Sequence, residues 1–158
     1  MRKLSLEELS IGAWLRYYMD MPNRYSEPMY VFSLYQSGSV YLATRSDGYD
    51  AVSAELANVA PISINEAVLR GFGFEKAKGN DVFLKVIGDM RMTVSLRWKH
   101  GEQQCKRVAL TGKTTCWNEE IRYVHELQRW WTDRVLLPFG IPLVLEWRGK
   151  RKEDEHDG

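Results

Sequence analysis

The sequence predicts an α+β fold, mostly β, arranged as two units. Three observations carry this. The first sixty residues hold several short runs of strand-forming residues divided by turn signals. Residues 91–98 alternate strictly between polar and apolar side chains. Two later segments place apolar residues at helical spacing behind capping residues.

Ser5-Leu6-Glu7-Glu8 has capping-box spacing and predicts one helical turn before Leu9. Residues 11–18 are rich in strand formers, and Asp20-Met21-Pro22-Asn23 is a loop signal. Residues 29–35 and 40–44 flank Gln36-Ser37-Gly38-Ser39, so they read as a hairpin. Ser46-Asp47-Gly48 is another turn, with short strands expected at 49–52 and 56–59. Many short strands in so little chain predict a small, strongly bent antiparallel barrel of SH3-like type over residues 1–60.

A second unit is expected over residues 61–147. Ser63 and Glu66 form a capping box for a helix carrying Ile64, Ala67 and Val68, with Gly71 as its left-handed end. Phe72 and Phe74 would pack back on that helix. An antiparallel meander follows. Its strands are 82–87, then Met92, Val94, Leu96 and Trp98 alternating with Arg91, Thr93, Ser95 and Arg97, then 104–110. Asn118, backed by Glu119 and Glu120, reads as the cap of the longest helix, which should stop before Pro138. Residues 141–147 read as a strand, and the charged residues 148–158 as a disordered tail.

The 158-residue chain has 22 basic and 21 acidic side chains, a formal net charge of +1. A whole-protein electrostatic grip on nucleic acid is therefore not expected, which leaves only local patches. The N-terminus lacks an export signal, and the longest uncharged apolar run, residues 135–145, is far short of the roughly 20 residues of a membrane span. The reading is a cytoplasmic protein with reduced thiols at Cys105 and Cys116.

Several motifs begin and fail. Gly112-Lys113-Thr114-Thr115 resembles the end of a phosphate loop, but Arg107 stands where the first glycine belongs. Gly71-Phe72-Gly73 lacks the third glycine of a dinucleotide fingerprint, since Lys76 occupies that place. His125-Glu126 starts like a zinc-protease helix, yet position 129 is Arg. His100, Cys105, Cys116 and His125 lack close ligand spacing, and no third group orients a Cys116–His125 pair. The expectation is no catalytic residue, no metal and no cofactor.

Two surfaces remain. Residues 82–115 carry a net charge of +5. Lys85, Arg91, Arg97 and Lys106 are the candidates for a basic sheet face that could hold a phosphate backbone, with base-stacking aromatics expected elsewhere. Seven of the eight tyrosines lie in the first fifty residues. Trp14, Tyr17 and Tyr30 there, with the adjacent Trp130 and Trp131, are the candidates for contact with a protein partner or a second copy in a homodimer. A protein partner is the first expectation and nucleic acid the alternative.

Four stretches occur in a set order: Ile11-Gly12-Ala13-Trp14, residues 61–69, Gly73-Phe74-Glu75-Lys76, and Ile121-Arg122-Tyr123-Val124-His125-Glu126-Leu127-Gln128. In this the chain resembles a group of small uncharacterised proteins of prophages and mobile elements in Bacteroidetes-type bacteria. The Tyr-Val-His-Glu-Leu-Gln hexapeptide is its most specific part. The matches touch about a quarter of the chain, and the segment from Trp130 to Trp147 is longer than the group's pattern. The resemblance implies a mobile-element context and carries no activity or catalytic residue to transfer; the binding or adaptor role is the reading of the residues themselves.

Overall fold

The computed structural model describes residues 4–18, 25–35, 37–44, 51–77 and 81–148. The chain divides into two compact units, Met1–Ile62 and Ser63–Gly158. Each is built on a five-stranded antiparallel sheet, so the fold is α+β.

The first unit opens with a 3-10 turn, Leu6–Glu8, where the Glu8 carboxylate accepts from the Ser5 N–H at 2.9 Å. Its strands are β1 (Trp14–Tyr17), β2 (Met29–Leu34), β3 (Ser39–Ala43), β4 (Val52–Glu55) and β5 (Val59–Pro61). The sheet order is β4-β3-β2-β1-β5: a meander whose last strand returns to the far side of β1, with Leu15 opposite Pro61. Alternation along the strands turns Leu15, Val31, Val40 and Leu42 into one buried cluster, joined by Leu4, Leu9 and Val59. A bulge between Val31 and Ser33 breaks the register and leaves Phe32 exposed.

Two expectations change here. The strand expected at 56–59 is a 3-10 turn, Leu56–Asn58, closed by the Val59 N–H on the Leu56 carbonyl. The chain must reverse between β4 and β5 in three residues, and a tight turn does that. The sheet is also open: no ladder joins β4 to β5 among the described residues. The turns expected at 20–23 and 46–48 lie outside the described residues.

The second unit runs α1 (Glu66–Gly71), β6 (Glu75–Lys76), β7 (Val82–Ile87), β8 (Met90–Lys99), β9 (Glu102–Thr111), β10 (Cys116–Asn118) and α2 (Val124–Trp131). The sheet order is β10-β9-β8-β7-β6. Met90, Met92, Val94 and Leu96 of β8 are buried at every second position. The register sets Phe83 and Val108 directly opposite Val94, so the centre of one face of the sheet is apolar. On β9 a bulge takes up Lys106. Cys105 and Val108 are therefore both buried although three apart, while Lys106 and Arg107 are both exposed.

The helix starts differ from the capping expectations. α1 is capped by Asn65, whose Oδ1 accepts from the Val68 N–H at 2.9 Å. Ser63 instead makes an isolated antiparallel bridge with Tyr123. Gly71 is the last helical residue, and Gly73 (φ +89°) takes the left-handed position. The Phe74 N–H then reaches the Leu69 carbonyl and the Gly73 N–H that of Arg70, a Schellman end. Similarly, Asn118 ends β10 and caps nothing longer than its own turn, through Glu120 N–H to Oδ1 at 2.7 Å. α2 begins six residues later, after Tyr123. Glu126 forces that delay: its Oε1 accepts from both the Arg122 and Tyr123 N–H groups, at 2.9 and 3.1 Å.

The end of α2 also departs from expectation. The chain passes Pro138 in helical form, through a π-turn at Thr132–Leu136 and a last turn at Leu137–Phe139. The Leu137 N–H bonds to Thr132, five residues back. The widened turn accommodates the proline ring that a regular helix would exclude. Residues 141–148 form no strand. They lie across the end of α1, where the Arg148 N–H bonds to the Gly71 carbonyl at 2.7 Å and Trp147 meets Phe72 edge to face. A helix end offers one carbonyl and no ladder, so this segment stays irregular. Residues 149–158 of the expected tail lie outside the described residues. Among the described residues no helix is long and apolar enough to cross a membrane.

Candidate functional site

The second unit contains a cleft of about 700 Å³, within the usual range for ligand sites. It is lined by three pieces of chain: Ser63–Asn65 with Ala67, the first half of β9 from Glu102 to Cys105, and Arg122–Tyr123. The local sequence holds these pieces apart and in place. The Ile64 N–H bonds to the Arg122 carbonyl at 3.1 Å, tying the first wall to the third. Gln103 reaches across the gap, where its Oε1 accepts from the Glu66 N–H at 2.7 Å.

The open edge of β9 is the distinctive part of the cleft. β10 pairs only with Val108, Ala109 and Leu110, so the strand from Glu102 to Arg107 has a partner on one side only, β8. Antiparallel pairs alternate between hydrogen-bonded and non-bonded kinds. The Leu96 N–H turns away from β9 to the Asp81 carbonyl at 2.8 Å, which makes Leu96–Cys105 a non-bonded pair. Two residues along, Trp98–Gln103 is of the same kind. The main-chain N–H and C=O of both Gln103 and Cys105 therefore point away from β8, although Cys105 is 1% exposed, so its pair is covered. No main-chain group among the described residues pairs with them.

Two charged residues line the cleft, Glu102 and Arg122. The Arg122 Nη1 makes long contacts to the Glu119 and Ile121 carbonyls, at 3.3 and 3.4 Å. Its Nε and Nη2 make no hydrogen bond among the described residues. Cys105 is the one thiol in the lining. Burial pushes it up to about 11, and the nearby Arg122 guanidinium only partly offsets that. A thiol held protonated is a packing group and a poor nucleophile. Trp98, 67% exposed, sits directly opposite Gln103 on β8.

The candidates read from the sequence separate. Arg91 and Arg97 share the outer face of the sheet with Thr93, Ser95 and Arg107. Lys85 lies opposite Met92, on the apolar face, where its Nζ bonds to the Phe72 carbonyl and caps the Phe74 ring. Lys106 is the bulge residue, and Arg107 is paired with Glu119 at 2.9 Å. The expected absence of an aromatic from the basic face is corrected: Trp117, 64% exposed, is opposite Ala109, which is opposite Thr93, so it shares that face. Trp14, Trp130 and Trp131 are buried, so none of them offers a partner surface. The Trp131 Nε1–H is spent on the Ile141 carbonyl at 2.8 Å. Tyr17 is half-buried against the first unit's core, and Tyr30 meets Trp14 edge to face.

His125 is buried and stacked on Tyr123. Lys113 lies in the turn after β9, its N–H toward the Met90 sulfur, with no helix starting there to receive a phosphate. Among the described residues no three of His, Cys, Asp and Glu gather as a metal site. The cleft itself was not legible in the sequence, because it depends on where β10 stops pairing. The nearest signal was Gly101 after His100, which marks the hairpin that orients β9. No family model, no curated protein and no solved structure matches the chain.

Proposed function

We propose that the chain is a non-enzymatic binding protein that receives a segment of a protein partner in the Ser63–Tyr123 cleft. The observation that carries this reading is the main chain of Gln103, unpaired on the edge of β9 that β10 does not cover. Open main-chain groups recognise another main chain. The lining supports binding over catalysis: it is rich in amide and hydroxyl groups, and its cysteine is held neutral. The first unit fits an SH3-like barrel in strand order, with a 3-10 turn before the strand that returns to β1, which accords with an adaptor role. The resemblance to mobile-element proteins supplies the setting.

The test is selection of a random twelve-residue peptide library on the immobilised full chain. Ala67→Arg, which fills the cleft from an exposed helix position, serves as the counter-selection. Sequences enriched on the native chain and lost on the variant are expected. Equal enrichment on both would remove the cleft as the site.

The second reading is nucleic-acid contact on the outer sheet face, favoured by Trp117 sharing that face with Arg91 and Arg97. It predicts salt-dependent binding of single strands that the double variant Arg91→Glu, Arg97→Glu abolishes. A low-salt gel shift without a complex ends it.

A further inference from the structure

Resting on the outer sheet face as a nucleic-acid site, we infer that the bound single strand stacks a base on Trp117 and gives the neighbouring phosphate to Arg107, which lets go of Glu119 to take it. The register builds this site. Trp117 is 64% exposed, and its neighbours across the sheet are the small side chains of Ala109 and then Thr93. A planar base therefore has room against the indole, and stacking accepts any base because each has a π face. Arg107 lies on the same face opposite Ser95, and its contact with Glu119, two residues past Trp117, draws the guanidinium toward the Trp117 edge. Arg91 and Arg97 flank Thr93 and Ser95 on that face, the groups that hold a phosphate backbone. An uncharged aromatic partner could use Trp117 but would leave these cations idle.

The geometry of the Arg107–Glu119 pair favours the exchange. Arg107 Nε and Nη2 both donate to one carboxylate oxygen, Oε2, at 3.2 and 2.9 Å. A guanidinium fork is better matched by two oxygens taking two parallel bonds, which a phosphate group offers. Both side chains are about half exposed, at 47% and 55%, so solvent and salt already weaken the pair. Once Arg107 has turned to phosphate, Glu119 is left as a bare anion beside the strand. Glu119 thus holds the affinity of the face down and makes it depend less on salt, because the carboxylate takes up a counterion as the phosphate loses one.

The experiment uses the full chain and a fluorescein-labelled eight-nucleotide oligothymidylate. Anisotropy over a salt series reads affinity, and NMR of the arginine Nε–H signals reads the contact. Trp117→Leu is expected to weaken binding about tenfold, and Trp117→Phe, which keeps a ring, by less than about threefold. Glu119→Gln is expected to tighten binding about threefold at low salt. It should also steepen the slope of log affinity on log salt by up to about 0.7, the share of one phosphate on a single strand. In an Arg107→Gln chain the same Glu119 change should leave the slope alone, because no guanidinium is freed. The Arg107 Nε–H signal should move when the oligonucleotide is added to the native chain. A Trp117→Leu chain that binds like the native one, or an Arg107 signal that stays in place, overturns the inference. If Arg91→Glu with Arg97→Glu still abolishes binding in that case, nucleic-acid contact on this face stands and the inference falls alone. Should the native chain bind no strand at low salt, both fall.

Discussion

The Trp147 indole lies where a side chain on Gly71 would have to stand. A Cβ built on Gly71 collides with the ring, and the Arg148 N–H seals the contact by bonding to the Gly71 carbonyl at 2.7 Å. Gly71 is thus kept small by a close approach, with the left-handed turn left to Gly73.

Gly71→Ala should therefore destabilise the second unit although alanine is the better helix former. Overpacking of this kind costs about 1–3 kcal/mol. In urea denaturation the midpoint should fall, and Trp147→Leu in the same chain should recover part of the loss. A neutral or stabilising Gly71→Ala would show that the ring moves aside freely.

Cys105 should make stability fall with rising pH in a defined window. An unfolded thiol ionises near 8.5–9, whereas the folded one ionises at about 11. Between those values the folded chain holds a proton that the unfolded chain has released, so folding weakens as pH rises through the window. The full effect is roughly 2–3 kcal/mol by the top of it. Cys105→Ala should flatten the slope between pH 9 and 11. At pH 8 a thiol reagent should modify the partly exposed Cys116 well before the buried Cys105.

Glu126→Ala should cost about 1–2 kcal/mol, because two main-chain N–H groups lose their acceptor at the start of α2. Glu126→Gln keeps an oxygen in place and should cost less. Hydrogen exchange at Arg122 and Tyr123 would report the loss directly, by faster exchange in the alanine variant alone.

Trp131→Ala and Arg107→Ala bracket the energetic range of the second unit. Trp131 is 1% exposed and donates to the Ile141 carbonyl, so its removal should cost about 3–5 kcal/mol. Arg107 and Glu119 form an exposed pair, worth at most about 1 kcal/mol. Thermal melts of the two variants should differ accordingly.

These contacts show what could and could not be read from the residues. The meander was legible because Met92, Val94 and Leu96 repeat at period two and the sheet buries that same face. Helix starts were misplaced because local spacing favoured Ser63 and Asn118, while the winning groups, Asn65 and Glu126, were chosen by tertiary pairing of Ser63 with Tyr123 and by the carboxylate's reach back to Arg122. Periodicity reports only a side chain's face. It could not show that Lys85 would turn inward to Phe72 and Phe74, nor that β10 would stop at Val108 and leave an edge open. The polar character of the cleft was likewise hidden, since its walls come from residues nearly sixty positions apart in the chain.

An exposed notch in a ladder also invites identical molecules to stack. On β9 the exposed stretch beside the cleft is short, since Cys105 is covered and the extra residue at Lys106 kinks the strand immediately after it. A neighbouring copy could zip no further, which is too short a seam to seed a fibre. The same irregularity that spoils the alternation of the strand thus limits how far this stretch of edge can pair with another copy.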